Sequence, residues 1–265
     1  MRQIERKKTF FDHLRDVWAK CGYIFGGRRR IGRTTMTFEL PLFPLNVVLF
    51  PGMPLPLHIF EPRYRRMMGR CLETDRTFGV ALLVDGEEGQ TGTLPADVGC
   101  MAEIMEVAPF ADGRMNLQTI GTRRFRILEV RDEDECLVGI CEWLEDEATS
   151  DNTADAADRA RHQLGRYFNA LSQSVTLPAQ LDELDVPEEP EALSLFIAAI
   201  MLLPNDQKQK LLELTSTDVR LEVEEFLLER AEIVQRAYAQ RVARGESEPP
   251  ADASSGLLSG FISLN

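Results

Sequence analysis

After residue 35 this chain holds only two lysines, Lys208 and Lys210, and that shortage excludes several chemistries. A phosphate-binding loop needs GxxxxGK[ST], whose amides cradle the phosphates while its lysine meets them; the motif is absent. Both lysines sit at the start of a short charged helix and read as solvated surface, which leaves a serine nucleophile without a base. No serine lies in GxSxG. Histidine is as scarce, with His13, His58 and His162 the only three. His58 beside Glu61 is a pair that could do acid–base work, but a histidine in such a loop more often packs or caps. The five cysteines, at 21, 71, 100, 136 and 141, form no CxxC pair and follow no secretory signal. They argue for a reducing cytoplasm and against a disulfide framework or a zinc site. No apolar run approaches the ~20 residues of a membrane-spanning helix. The expectation is a soluble protein with no catalytic residue, no metal and no cofactor.

Positive charge is short over most of the chain. The formal net charge is −13, yet residues 1–35 carry ten Lys/Arg against three Asp/Glu, or +7, so the remainder sums to −20. An acidic body repels phosphate backbones, and nucleic acid would need a local basic face to hold it. The one candidate is Arg123, Arg124 and Arg126 with Arg131. On a strand Arg124 and Arg126 share a face, and the plainer reading is a solvated face paired with nearby acids. Residues 1–35 also place Phe10, Phe11, Leu14, Val17, Trp18, Cys21, Ile24 and Phe25 at helical spacing, followed by Gly26-Gly27-Arg28-Arg29-Arg30. This reads as a membrane-surface helix, as a targeting peptide, or as a basic amphipathic extension outside a fold that starts at Met36.

Proline, by contrast, is concentrated: residues 38–64 contain six prolines within a dense apolar run. Neither a helix nor a central strand tolerates that much proline. The reading is a short edge strand over residues 38–43, a proline-punctuated apolar loop, a second strand near residues 57–60, and a helix opening at Pro62. The block contains Pro41-Leu42-Phe43-Pro44-Leu45, Leu49-Phe50-Pro51-Gly52 and Leu57-His58-Ile59-Phe60-Glu61-Pro62-Arg63-Tyr64. It resembles the opening of the amino-terminal, substrate-binding domain of Lon protease. Supporting stretches are Val98-Gly99-Cys100 with Ile104, Gly121-Thr122-Arg123-Arg124-Phe125-Arg126-Ile127, and Leu214-Thr215-Ser216-Thr217-Asp218-Val219-Arg220-Leu221. The resemblance runs from Met36 to near Arg241 and implies a stand-alone family member with a PUA-like fold and no ATPase or peptidase part.

Short strands with Gly/Asp turns fill residues 36–145 and suggest a small barrel or sandwich: Phe78–Val84, Gly99–Ala108, Met115–Ile120, Arg124–Arg131 and Leu137–Leu144, with an acidic turn from Asp85 to Gly89. Tyr64, Met67, Met68, Cys71 and Leu72 form one apolar face of the helix opened by Pro62. Residues 146–156 are polar and acidic and read as a linker. Residues 157–243 turn helical, with four helices, the last capped by Thr217. Residues 244–265 read as a flexible tail that turns apolar again from Gly256 to Leu264. The expected class is therefore α+β, a PUA-like, strand-rich pseudo-barrel followed by a carboxy-terminal helical bundle.

The functional expectation is a non-enzymatic module that binds unfolded polypeptides or partner proteins. A proline-rich apolar loop offers few backbone donors to a sheet but forms a rigid apolar surface. The candidates are Phe43, Pro44, Phe50, Pro51, Met53, Leu55 and Pro56, with Leu42 and Phe60 also on that surface, while a core reading competes for each and is strongest for Leu42, Ile59 and Phe60. Gly52, Glu61, Pro62, Arg63, Tyr64, Gly121 and Phe125 read as structural, with Glu61 near the helix start and Arg63 bridging it to a neighbouring strand. The alternative is an RNA-binding PUA-like module, which would have to use Arg123, Arg124, Arg126 and Arg131.

Overall fold

Pro41 and Pro44 do not stop the first strand because of where it changes partner. β1 (Phe38–Leu45) pairs antiparallel with β6 (Cys136–Trp143) through residues 38–42, and parallel with β3 (Thr77–Asp85) through residues 42–45. Each proline thus sits where one flank of the strand carries no ladder, the condition under which a sheet accepts it. The strand expected at an edge is an interior one that hands over at Leu42. The computed structural model describes residues 36–85, 94–173 and 186–244. The amphipathic extension 1–35, the acidic turn after Asp85 and the tail from residue 245 lie outside the described residues.

The remaining strands are β2 (Pro54–Ile59), β4 (Leu94–Pro109) and β5 (Met115–Glu133). The sheet order is β2-β5-β4-β3-β1-β6, with β6 pairing back onto β5. Five strands therefore close a barrel, and β2 lies outside the closure. β5 runs unbroken where two strands were expected at residues 115–120 and 124–131. Its edge away from β4 serves β2 over residues 115–120 and β6 over residues 125–133. The expected α+β pseudo-barrel is what the chain forms, and Phe125, fully buried, plugs it against Leu40, Leu42 and Cys141. Gly79 and Gly99 let that ring in, since a Cβ on either would stand 2.8 or 2.7 Å from its Cζ.

α1 (Pro62–Glu73) opens with Pro62 in its first turn and buries Tyr64, Met67, Met68 and Cys71. Burial pushes the Cys71 thiol up to about 11 and the Cys141 thiol up to about 12, so both are inert structural groups. Arg66 and Arg70 pair with Glu135 and Asp134, and Arg63 Nη1 donates to the Glu135 carbonyl, holding the β5–β6 turn on the helix. Arg63 also bridges Glu61 at 3.2 Å and stacks on Tyr64.

The helical half comprises α2 (Thr153–Ser172), α3 (Pro190–Ile200), α4 (Asn205–Glu213) and α5 (Thr217–Ala243). Ser216 rather than Thr217 caps α5, its hydroxyl accepting from the Val219 amide. The main apolar core runs from the barrel and α1 into Leu195, Ala198, Leu211 and Leu212, so barrel and helices share one interior. A buried polar junction crosses the same boundary. Asp146 accepts from Arg124 Nη2, from Arg220 Nη2 at 2.6 Å and from Thr217 Oγ1 at 2.6 Å. Arg124 Nη1 also donates to the carbonyls of Leu212 and Leu214 at the end of α4, and Arg220 Nε donates to Ser194, whose hydroxyl meets Glu224. Burial, with the Arg220 charge beside it, lowers the Arg124 guanidinium to about 10, and burial holds the Glu224 carboxyl well above the usual range.

Candidate functional site

The proline-rich loop is core, not surface. Phe43, Pro44, Phe50, Pro51, Met53 and Leu55 are all buried, and of the seven proposed binding residues Pro56 alone is half-exposed. Two close approaches tuck the loop in. Gly52, at φ +78°, donates its amide to Gly121 O at 2.7 Å, and Gly121 returns its amide to Met53 O at 2.9 Å. A Cβ on Gly121 would overlap the Phe50 carbonyl oxygen. The segment instead fills the interior between barrel, α1 and α4.

The exposed residues of the block follow from strand alternation. Leu55, Leu57 and Ile59 point inward, so Pro56, His58 and then Phe60 line up on the other face. Phe60, read from sequence as core, is 59% exposed. The hairpin between β4 and β5 brings up Phe110, 43% exposed, on a tight turn in which Gly113 (φ +84°) donates to the Phe110 carbonyl. Around His58 the rings converge: Phe60 stacks on the imidazole at 6.0 Å between centroids, and Phe110 meets it edge-on at 5.9 Å. The imidazole is fixed by Nδ1–H donating to Asn116 Oδ1 at 2.6 Å. Arg114, paired with Asp112, lies over the Phe110 ring at 5.6 Å. On β5 the register sets Gln118 opposite Pro56 and Asn116 opposite His58. Both amides are exposed. The result is an aromatic corner beside a strip of amide side chains, with His58, Asn116 and Gln118 on paired strands and Phe60 and Phe110 one residue past the ends of β2 and β4.

The outer edge of β2 is nearly closed to further pairing. Ladder bonds alternate along an antiparallel pair, and Met53 O already accepts from β5, so residues 55, 57 and 59 spend their backbone groups on β5. Residues 54, 56 and 58 face away. Two of these are proline, so the sheet loses no donor to them, and the edge keeps its carbonyl acceptors but offers only the His58 amide as a donor.

The basic residues of the RNA-binding alternative do not form a free face. Arg124 is buried on Asp146, Arg123 pairs with Glu145 and covers Trp143 at 4.3 Å, and Arg131 pairs with Glu129 and Glu39. Arg124 and Arg126 flank a fully buried Phe125, because at this point β5 is covered on both faces. No group of His, Cys, Asp and Glu among the described residues could hold a metal ion, and no helix among them is long and apolar enough to cross a membrane.

Sequence reasoning missed Phe110 and misplaced Phe60. The signal for Phe60 was available in the strict alternation of Leu55, Leu57 and Ile59. Nothing local marked Phe110, which owes its place beside His58 to the β2–β5–β4 register.

Comparison with known proteins agrees with this architecture. Residues 39–230 match the family of the ATP-dependent protease La (LON) substrate-binding domain. The chain is similar to Lon protease 1 of Hydrogenovibrio crunogenus, 27% identical over 180 residues, which cover 67% of this chain and 22% of that protein. It thus spans about a fifth of that relative's length. A Lon N-terminal domain protein from Xanthomonas campestris is 28% identical with a TM-score of 0.52, over 70% of this chain and 96% of that one. The N-terminal domain of Mycobacterium avium complex Lon protease, 17% identical, shares the fold with a TM-score of 0.57 over 72% of this chain and 98% of that one.

Proposed function

We propose that this chain, which belongs to the family of the LON substrate-binding domain, is a non-enzymatic module that captures unfolded or extended polypeptide on the outer face of β2, β5 and β4. The observation that carries the reading is the convergence of exposed Phe60 and Phe110 on His58. Single exposed apolar residues are ordinary on a protein surface, but clustered aromatic rings with a polar rim are the usual anchors of a binding site. The chemistry suits peptide. The rings take apolar side chains without sequence specificity, while Asn116 and Gln118 offer donors and acceptors to a passing backbone. The proline-blunted edge of β2, with a single amide to donate, disfavours strand addition, so in this reading the ligand lies across the face and not along the ladder.

The test is binding of a reduced, carboxymethylated and therefore permanently unfolded protein, followed by fluorescence anisotropy. Phe60→Ser with Phe110→Ser is expected to weaken it at least about tenfold, or ~1.4 kcal/mol, with the melting temperature unchanged. Unchanged affinity removes the site from this corner; no binding by the parent chain removes the module reading itself.

A further inference from the structure

The longest helix, α5, carries an apolar stripe that nothing among the described residues covers. Val219, Val223, Phe226 and Ile233 are exposed at 45%, 38%, 53% and 61%. Their spacing of four, three and seven is the a/d pattern of a helix seam, directly opposite the buried face formed by Leu221, Glu224 and Leu228. Glu222 and Glu229, each a turn from Phe226, line one flank. Exposed Arg230 lies over the Phe226 ring at 5.3 Å.

We infer that this stripe is the docking face for the chain's own residues 10–25. Three observations select this occupant. The first is pattern and length: Phe10, Leu14, Val17, Cys21 and Ile24 repeat the same four-three spacing. The span from Phe10 to Ile24 equals that from Val219 to Ile233, each covering the same number of residues.

The second is where the chain enters the fold. Phe38 stacks on Trp143 at 4.2 Å. The segment after Trp143 is tied by the Glu147 amide to Thr215 O at 2.8 Å, four residues before the stripe begins. In sequence, residues 26–35, with Gly26 and Gly27 among them, separate residues 10–25 from that point. The third is charge. The segment is bracketed by Arg6-Lys7-Lys8 and Arg28-Arg29-Arg30, which match the Glu222 and Glu229 flank, whereas the apolar stretch after residue 256 follows a tail bearing Glu246, Glu248 and Asp252. A single stripe of this length is small against the roughly 1,200–2,000 Å² that separate partners bury. A tethered segment needs far less, because its effective concentration is on the order of millimolar.

Cys21 lies on the seam and reports on it, because the other four cysteines are buried in the fold. Its alkylation by N-ethylmaleimide in the full chain, read by peptide mass mapping, is compared with the same residue in the isolated peptide 1–35. The expected result is labelling at least about tenfold slower in the full chain, the protection given by a docking constant of about 10. Val223→Lys with Phe226→Lys should restore the peptide's rate with an unchanged melting curve, and Ile233→Lys gives the same readout should the double variant fail to fold. Labelling at the peptide rate in the unmodified chain overturns the inference. So does protection that survives the α5 variants, and so does protection lost on dilution, which assigns the stripe to a second copy.

Discussion

Arg123 and Arg124 are neighbours, as are Glu145 and Asp146, and the two ion pairs they form differ in burial and in the network around them. Arg123–Glu145 is exposed, with side chains 46% and 65% accessible, whereas in Arg124–Asp146 they are 3% and 5% accessible. An exposed pair gains little beyond what water already gives it, so Glu145→Ala should cost no more than ~1 kcal/mol. Asp146→Ala strands two buried guanidinium groups, those of Arg124 and Arg220, and also unpairs Thr217 Oγ1. Removing one partner of such a buried set costs about 3–5 kcal/mol. For a chain of this size that is a fall in melting temperature of roughly 6–20 °C, at ~2–4 °C per kcal/mol. Asp146→Asn, which keeps an acceptor but not the charge, should fall between. Urea unfolding followed by circular dichroism measures all three. Equal losses for Glu145→Ala and Asp146→Ala would falsify the claim that burial makes one pair structural and the other incidental.

Phe50→Ser should unfold or severely destabilise the chain, by about 3–5 kcal/mol on the scale of aromatic core truncation, because the ring is fully buried; loss of binding by such a variant would therefore say nothing about a site. Gly121→Ala should also destabilise, since the new Cβ overlaps Phe50 O, whereas Gly69→Ala in α1, where a Cβ meets nothing within 4 Å, should raise stability by about 0.5–1 kcal/mol, both read from urea midpoints. Burial lowers the Lys208 ammonium to about 8. The unfolded chain then binds the extra proton between pH 8 and about 10.4, so this group's contribution to stability rises with pH across that window. The buried thiols of Cys71 and Cys141 push the opposite way, so the check is the difference between parent and Lys208→Met, which should narrow as the pH rises from 8 to 10.

The architecture was legible where local physics and global fold agree. Pro62 opening α1 with a Tyr64–Met67–Met68–Cys71 face needed only periodicity and capping chemistry, whereas the short strands expected at residues 115–120 and 124–131 are one long β5. The site was not legible, for two reasons. An apolar proline loop is equally suited to a surface and to a core, and what decides between them is the paired approach of Gly52 and Gly121 from segments far apart in sequence. Asp146 in the same way carries no local mark. Among acidic, polar neighbours it read as linker, and only the meeting of β5, α4 and α5 makes it the shared acceptor of two arginines.

A surface that gathers extended chains runs a particular hazard, since a captured segment can zip onto an open sheet margin and then recruit the next one, turning capture into a growing cross-β stack. Pro54 and Pro56 remove that growth point at the strand nearest the rings. With one backbone donor left on the margin, a visiting chain finds no complete ladder there to extend. If the proposed face binds extended chain, its reversibility rests on the backbone chemistry of β2 and not on the strength of the aromatic contacts.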